Sequence, residues 1–379
     1  MKLEEILEPV SNSILAEATR QLPATLARSV LPIIPGLTNI AEAELLLLGV
    51  YPEPNNHGWS PNEVRKSLYQ LFSPHGLSRV ADLGNISNLL SLEEQANALE
   101  FISDLCAKEK KTLLLFSPNQ NHTLALYKGL HNHREDLGIT IIDSTIDMGT
   151  ILGENPTPLY VSSILENRAT EPRFMSVLGI QSYLTNPLDV ELSNKMYLEL
   201  LRLGDLRADL KAAEPIIRDA NLVSLDMGAI RHADNPNSRT SGPNGLYAEE
   251  TCQLARYAGF ADKVDQFAIF GDFHPSSQGI SVQLAAQLLW HFLDGYANRK
   301  KEYPLSNANK LQKFIVKLGK DDEELIFYKS KKTDRWWMEI DSNKNNKKSF
   351  LVSCRYEDYQ EACRQDVPYR WLFYYKKWN

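Results

Sequence analysis

The sequence predicts an α/β fold: a three-layer α/β/α sandwich around a mostly parallel sheet, with a small β-rich appendage at its C-terminal end. Two observations carry this expectation. Over the first 300 residues, short runs nearly continuous in Val, Ile, Leu or Phe alternate with longer amphipathic stretches. Strands that are apolar throughout belong to sheets covered on both faces. The composition then changes at residue 306. Residues 306–379 carry 16 Lys+Arg against 11 Asp+Glu, and residues 1–305 carry 25 against 37. Four of the six tryptophans (Trp336, Trp337, Trp371, Trp378) also lie beyond residue 305. The shift predicts two units, 1–305 and 306–379.

In chain order the expected strands of the first unit are "LLLLGV", "RVADLGN", "TLLLFS", "ITIIDS", "FMSVLGIQ", "NLVSLDM" and "FAIFGDF". The expected helices are "PNEVRKSLYQLF", which opens on proline, "SLEEQANALEFISDLCAKEKK", "LDVELSNKMYLELLRL", "YAEETCQLARYAGF" and "SVQLAAQLLWHFLDGYANRKK". The serine and glutamates opening the second of these suit a capped start. The second unit reads as four short strands, "KFIVKL", "ELIFYKS", "RWWMEI" and "SFLVSC", followed by a helix, "YEDYQEACRQ", and an aromatic end, "YRWLFYYKKWN".

Composition bounds the class. A chain of 379 residues with 43% hydrophobic and 23% charged residues is globular. No apolar run approaches the roughly 18–20 residues needed to span a bilayer. The opening "MKLEEILEPVSNSILAE" is acidic and amphipathic, without the basic flank and cleavage site of a signal peptide. Cys106, Cys252, Cys354 and Cys363 are scattered without metal-ligand pairing, as free thiols in a reducing compartment would be. A cytoplasmic protein is expected, with no membrane partner. The net charge of −7 and the modest basicity of the tail speak against nucleic acid. The tail tryptophans are expected to pack the appendage, with a protein interface as the alternative.

Four strand ends concentrate the polar residues: "LLLFSPNQNHT" (Leu113–Thr123), "IIDSTIDMG" (Ile141–Gly149), "VSLDMGAIRHADNP" (Val223–Pro236) and "FAIFGDFHP" (Phe267–Pro275). Ligands of parallel sheets bind outside the carboxyl ends of strands. In order and interval these stretches resemble the ureohydrolases: arginase, agmatinase and formimidoylglutamase. "NNHGWSPNEVRKSLY", "PNGLYAEETCQLARY" and "SVQLAAQLLWHFLDGY" resemble further segments of that family. The resemblance spans roughly residues 40 to 300 and implies a homo-oligomer. It also implies two Mn²⁺ ions that activate a water against an amidine or guanidine carbon.

Carried over residue by residue, the family's ligand motifs are incomplete here. G-G-D-H-S falls on Ser117 to Asn121, with Gln120 at the histidine. D-A-H-x-D falls on Asp143 to Asp147, with Thr145 at the histidine. S-x-D-x-D falls on Ser224 to Gly228, keeping Asp226 and replacing the second aspartate by glycine. The substrate-facing glutamate of the fourth strand falls on Asp272. Three carboxylates, Asp143, Asp147 and Asp226, hold at most one hard cation weakly (Mn, Mg or Ca). The expectation is therefore no cofactor and a catalytically silent binding or scaffold module, with a divergent amidinohydrolase as the alternative.

Each remaining candidate has a plainer reading. His122 either swings into the empty coordination place or simply opens a helix, "TLALYKGL", and the second is expected. His274, beside Asp272, is an acid–base candidate or an ordinary loop residue. His232 follows the third motif and faces a ligand or solvent. His131 and His133 are expected on a charged surface turn. Gln120, His122, Thr145 and His232 are the candidate ligand contacts, and Asp272 and His274 the candidate catalytic pair. The aspartates could instead be locked by arginine, with Arg65 and Arg231 as candidates.

Overall fold

The leucine run Leu45–Leu48 explains why the strands read as unbroken apolar segments. Leu45 and Leu47 enter one hydrophobic core, and Leu46 and Leu48 enter a second, because successive side chains point to opposite sides of a strand. Leu114 and Phe116 divide from Leu113 and Leu115 in the same way, as do Phe267 and Ile269 from Ala268 and Phe270. The sheet therefore has a covered face on each side.

The computed structural model describes the chain apart from residues 1, 11–12, 15, 17–23, 33–39, 53–59, 135, 151–156, 167–170, 275–278, 303–310, 320–322 and 342–348. Its strands, in chain order, begin with β1 Leu7–Glu8, β2 Val30–Pro32, β3 Leu45–Val50, β4 Val80–Ile86, β5 Thr112–Ser117 and β6 Gly138–Ile142. Next come β7 Gly149–Thr150, β8 Thr157–Pro158, β9 Phe174–Ile180, β10 Glu199–Arg202, β11 Leu222–Asp226 and β12 Gln266–Phe270. The main sheet runs β1-β4-β3-β5-β12-β11-β6-β9-β10, with β2 also on β4, and β7 and β8 form a separate pair. Every described pair in the main sheet is parallel except β1 with β4.

One helix layer includes Pro61–Gln70, Ala248–Phe260 and Ile280–Ala297, and the other includes Leu92–Lys108, His122–His131 and Tyr160–Leu165. The expected capped start is present: Ser91 Oγ accepts from the Glu94 N–H, and Glu94 accepts from the Ser91 N–H at 2.8 Å. Helices 248–260 and 280–297 meet at glycine, since a Cβ on Gly259 would lie 2.0 Å from the Phe292 carbonyl oxygen. No helix among the described residues is long and apolar enough to cross a membrane.

Beyond the main sheet, β13 Leu311–Leu318, β14 Glu323–Ser330, β15 Trp336–Ile340 and β16 Phe350–Cys354 form a separate antiparallel sheet in sequential order. Helices Tyr356–Cys363 and Tyr369–Trp378 follow, so the aromatic end is itself a helix, burying Arg370, Trp371, Tyr374 and Lys377 on one side. Trp336, Trp337 and Trp371 are buried. This appendage rests at the amino ends of the main strands. Phe174, which opens β9, belongs to its core. Arg370 donates to Glu199 at 2.7 and 3.0 Å and to Asp219 at 3.2 Å. Tyr374 donates to Glu199 at 2.8 Å, and the Ser353 N–H donates to Asp219 at 3.1 Å.

Two expectations need correction or placement. "LDVELSNKMYLELLRL" is not one helix. The helix Pro187–Lys195 ends before Tyr197, whose φ of 55° is left-handed, and the chain re-enters the sheet as the edge strand β10. The leucines that suited a helical face pair with β9 instead. The boundary at residue 305 and most of the segment "NNHGWS" lie outside the described residues.

Candidate functional site

Strands β5, β12, β11 and β6 are consecutive in the sheet, so the four polar strand ends lie side by side although they come from residues 113–275. A cleft of about 360 Å³ opens there, lined among others by Tyr51, Gln95, Gln120, Asp226, Thr240 and Asp272. Helix 92–108 delivers Gln95 and Leu92 to its wall.

Asp143 follows β6 directly and is 2% exposed. One of its carboxyl oxygens accepts from the N–H groups of Ser144 and Thr145, at 2.5 and 3.2 Å, the local turn that short polar side chains favour. Its other oxygen is buried with no hydrogen-bond partner. Asp147 accepts from the Thr145 hydroxyl at 3.1 Å. Asp226 ends β11 and caps the short 3-10 turn Met227–Ala229 by accepting the Gly228 N–H at 2.9 Å.

The three carboxyls interact. Burial, then the charges of Asp226 and Asp147, hold the Asp143 pKa well above the carboxylate range. Burial raises that of Asp147. Burial and the charge of Asp147 push Asp226 up to about 7, against the Gly228 N–H that favours its charged form. Tyr160, 3% exposed, brings its hydroxyl to the same cluster. Burial, then Asp147, Asp143 and Asp226, keep it neutral far above the usual tyrosine range.

The arginine lock weighed as an alternative is not formed by either candidate. Arg65 is fully buried and binds Asp82 at 2.7 and 2.8 Å, and Arg231 binds Asp234 through two contacts of 2.9 Å. Each has a carboxylate on a neighbouring segment of its own, and neither reaches the cluster.

The histidines separate by environment. His122 opens its helix as expected but is 2% exposed. One ring nitrogen lies 2.8 Å from the Ser117 hydroxyl and the other is buried without a partner. Burial lowers its pKa to about 4, so the ring is neutral. His232 and His274 are exposed, and their N–H groups donate to the carbonyls of Gly242 and Asn237. His133 lies 3.1 Å from Asp104 on the surface. Asp272 lines the cleft and pairs with Arg239 at 3.3 Å. Gln120 borders the cleft with its amide nitrogen buried, and its side chain favours the charged form of Asp143.

A side chain at Gly228 would press on two neighbouring side chains. A Cβ there would lie 2.4 Å from the Thr240 hydroxyl oxygen, 2.8 Å from Asp226 Oδ2 and 3.2 Å from the Thr240 Cβ. Among the described residues, no group of three or more His, Cys, Asp or Glu side chains is arranged to hold a metal ion. Sequence reasoning missed Tyr160 and Thr240. Neither sits in a strand-end motif, and both reach the cluster from segments whose approach no periodicity announces.

No protein-family model matches the sequence, and no curated protein matches it. Solved structures do. A Trypanosoma cruzi formiminoglutamase with Mn²⁺ is 18% identical with a TM-score of 0.62, over 70% of this chain and 97% of that one. The formimidoylglutamase of Bacillus subtilis is 16% identical with a TM-score of 0.58, over 68% and 88%. The agmatine ureohydrolase of Thermoplasma volcanium is 18% identical with a TM-score of 0.57, over 76% and 99%. These likenesses show the fold: the chain is built like the formimidoylglutamases and agmatine ureohydrolase it matches.

Proposed function

We propose that this chain is a ureohydrolase-fold protein without dimanganese hydrolysis, which uses its cleft to bind a small cationic ligand. The observation that carries the reading is Gly228. The position that would supply a second aspartate has no side chain, and a Cβ there would press on Thr240 and Asp226. Gln120 and Thr145 bring an amide and a hydroxyl where imidazoles would ligate, so the residues present do not fit a pair of Mn²⁺ ions. Without such ions no bound water reaches a pKa near 7, and hydrolysis lacks its nucleophile. What remains is one buried and two half-buried carboxyls that no arginine or lysine pairs with among the described residues. An amine, amidine or guanidine supplies the charge and the N–H donors that they lack.

Elemental analysis after growth and dialysis with Mn²⁺ tests this. Less than about a tenth of an equivalent is expected, with no turnover of formimidoylglutamate, agmatine or arginine, whereas two equivalents with turnover refute it. A second reading is favoured by the unpartnered Asp143 oxygen. There Asp143, Asp147 and Asp226, which are not arranged around a metal position as they stand, would draw together on one divalent cation (Mn, Mg or Ca), with Asp272 and His274 as the acid–base pair. One equivalent of metal together with turnover would select it.

The same proposal treats residues 306–379 as a second unit. Its tryptophans are largely internal and so are not the face it would offer to a protein partner or second copy.

A further inference from the structure

The absence of three metal ligands leaves open whether the place is merely unfurnished or physically closed. We infer that Thr240 closes it: this threonine fills the space that a side chain at position 228 needs, so that an aspartate restored there does not complete the site while Thr240 stands. The inference rests on the proposal above that no dimanganese centre forms.

The geometry is specific. Rotating the Thr240 side chain removes the 2.4 Å contact of its hydroxyl with a Cβ at position 228, but not the 3.2 Å contact of its Cβ. That distance is shorter than the roughly 3.5–4.0 Å at which carbon atoms attract. Nor does the loop have freedom to retreat. The Thr240 and Ser241 N–H groups both donate to Ser238 Oγ at 3.1 Å, and Ser238 Oγ also lies 3.2 Å from the Thr240 hydroxyl. Asn235 donates to the Met227 carbonyl at 2.8 Å and to Ser241 Oγ at 3.0 Å. Ser241 Oγ donates to the same Met227 carbonyl at 3.3 Å.

On the other side, the Arg239 N–H donates to the Asp272 carbonyl at 3.0 Å, and Ser238 bridges to Phe273. The loop is thus tied both to the turn that carries Gly228 and to the end of β12. Thr240 is held against Gly228 from two directions.

The test compares variants of the full chain for Mn²⁺ content after dialysis and for the rise in Tm on adding Mn²⁺. The triple variant Q120H/T145H/G228D is expected to retain less than about a tenth of an equivalent, and the quadruple variant with T240G at least about one equivalent, with a Tm rise on metal addition. Metal uptake by the triple variant, or its absence from a folded quadruple variant, overturns the inference.

A second measurement needs no metal. The backbone at Gly228 is not left-handed, so G228A costs only its contacts. It is expected to lower Tm by about 3 °C or more, and most of that loss is expected to vanish when the background is T240G. Additive losses overturn the inference as well. Wild-type protein run in parallel separates the two claims. Two equivalents of manganese in the wild type defeat the proposed function, whereas a metal-free wild type beside a loaded triple variant defeats only the role of Thr240.

Discussion

Buried carboxylates sit at both ends of the main sheet, and they are treated oppositely. At the amino ends Glu199 and Asp219 meet Arg370, Tyr374 and the Ser353 N–H. At the carboxyl ends Asp143, Asp147 and Asp226 meet one another, local N–H and O–H groups and a neutral tyrosine. The first arrangement satisfies its charges from within the chain. The second holds its protons more tightly than free carboxyls do, since burying like charges together raises their pKa values. A chain that neutralises carboxylates internally at one pole does not do so at the other, which is what the proposed binding of a cation rests on. That contrast separates a structural ion cluster from a binding site more sharply than burial alone.

The largest effect should come from breaking the satisfied pole. R370A strands Glu199 and Asp219 without their guanidinium, and removing one partner of a buried pair typically costs about 3–5 kcal/mol. Chemical unfolding should show that loss, and a change under about 1 kcal/mol would put the two poles on an equal footing.

The next effect concerns the unsatisfied pole. A cation that binds the charged cluster displaces protons from it. Affinity for agmatine, measured by calorimetry, should therefore rise with pH between about 6 and 8, by up to about tenfold per unit. Flat affinity would mean that the cluster does not receive the ligand. A related effect needs no ligand. Asp226, with its folded pKa raised to about 7, binds more protons folded than unfolded. Its contribution to stability is therefore greatest below the unfolded value near 4, falls as pH rises from there to about 7, and is level above. D226N should flatten that part of the stability profile, and an unchanged slope would assign it to other groups.

The smallest effect is S91A. It removes the cap of the helix that carries Leu92 and Gln95 to the cleft, at a cost of about 1 kcal/mol in unfolding. Because this changes neither pole, agmatine affinity should move little.

The main strands were legible because they are buried on both faces, which leaves no polar alternation to misread. β10 was not, because an edge strand of four residues between two helices carries too little pattern against the leucine-rich helical surroundings. The site was legible in part. Asp143, Asp147 and Asp226 do converge, since parallel strands in this order bring their ends together. The partners of those aspartates were not legible. Tyr160 and Thr240 meet them through tertiary approach alone, and the arginines proposed as locks had carboxylates of their own at Asp82 and Asp234. The tryptophans of the tail read correctly as packing. The helix formed by its last aromatic residues was hidden by the density of rings, which suits strand and helix alike.

The Arg370 cluster also has a bearing on synthesis. Its guanidinium lies 171 residues after Glu199 and 151 after Asp219. On a chain made from the N-terminus, β9, β10 and β11 exist long before residue 370 does. Domains can begin to fold as they emerge, but here the amino pole of the sheet stays incomplete until the last helix arrives. A ribosome that stalls before residue 370 therefore leaves a chain whose two carboxylates must remain hydrated, which works against closing the core above them. The amino pole of the sheet is in this way completed by residues far later in the chain than the strands it caps.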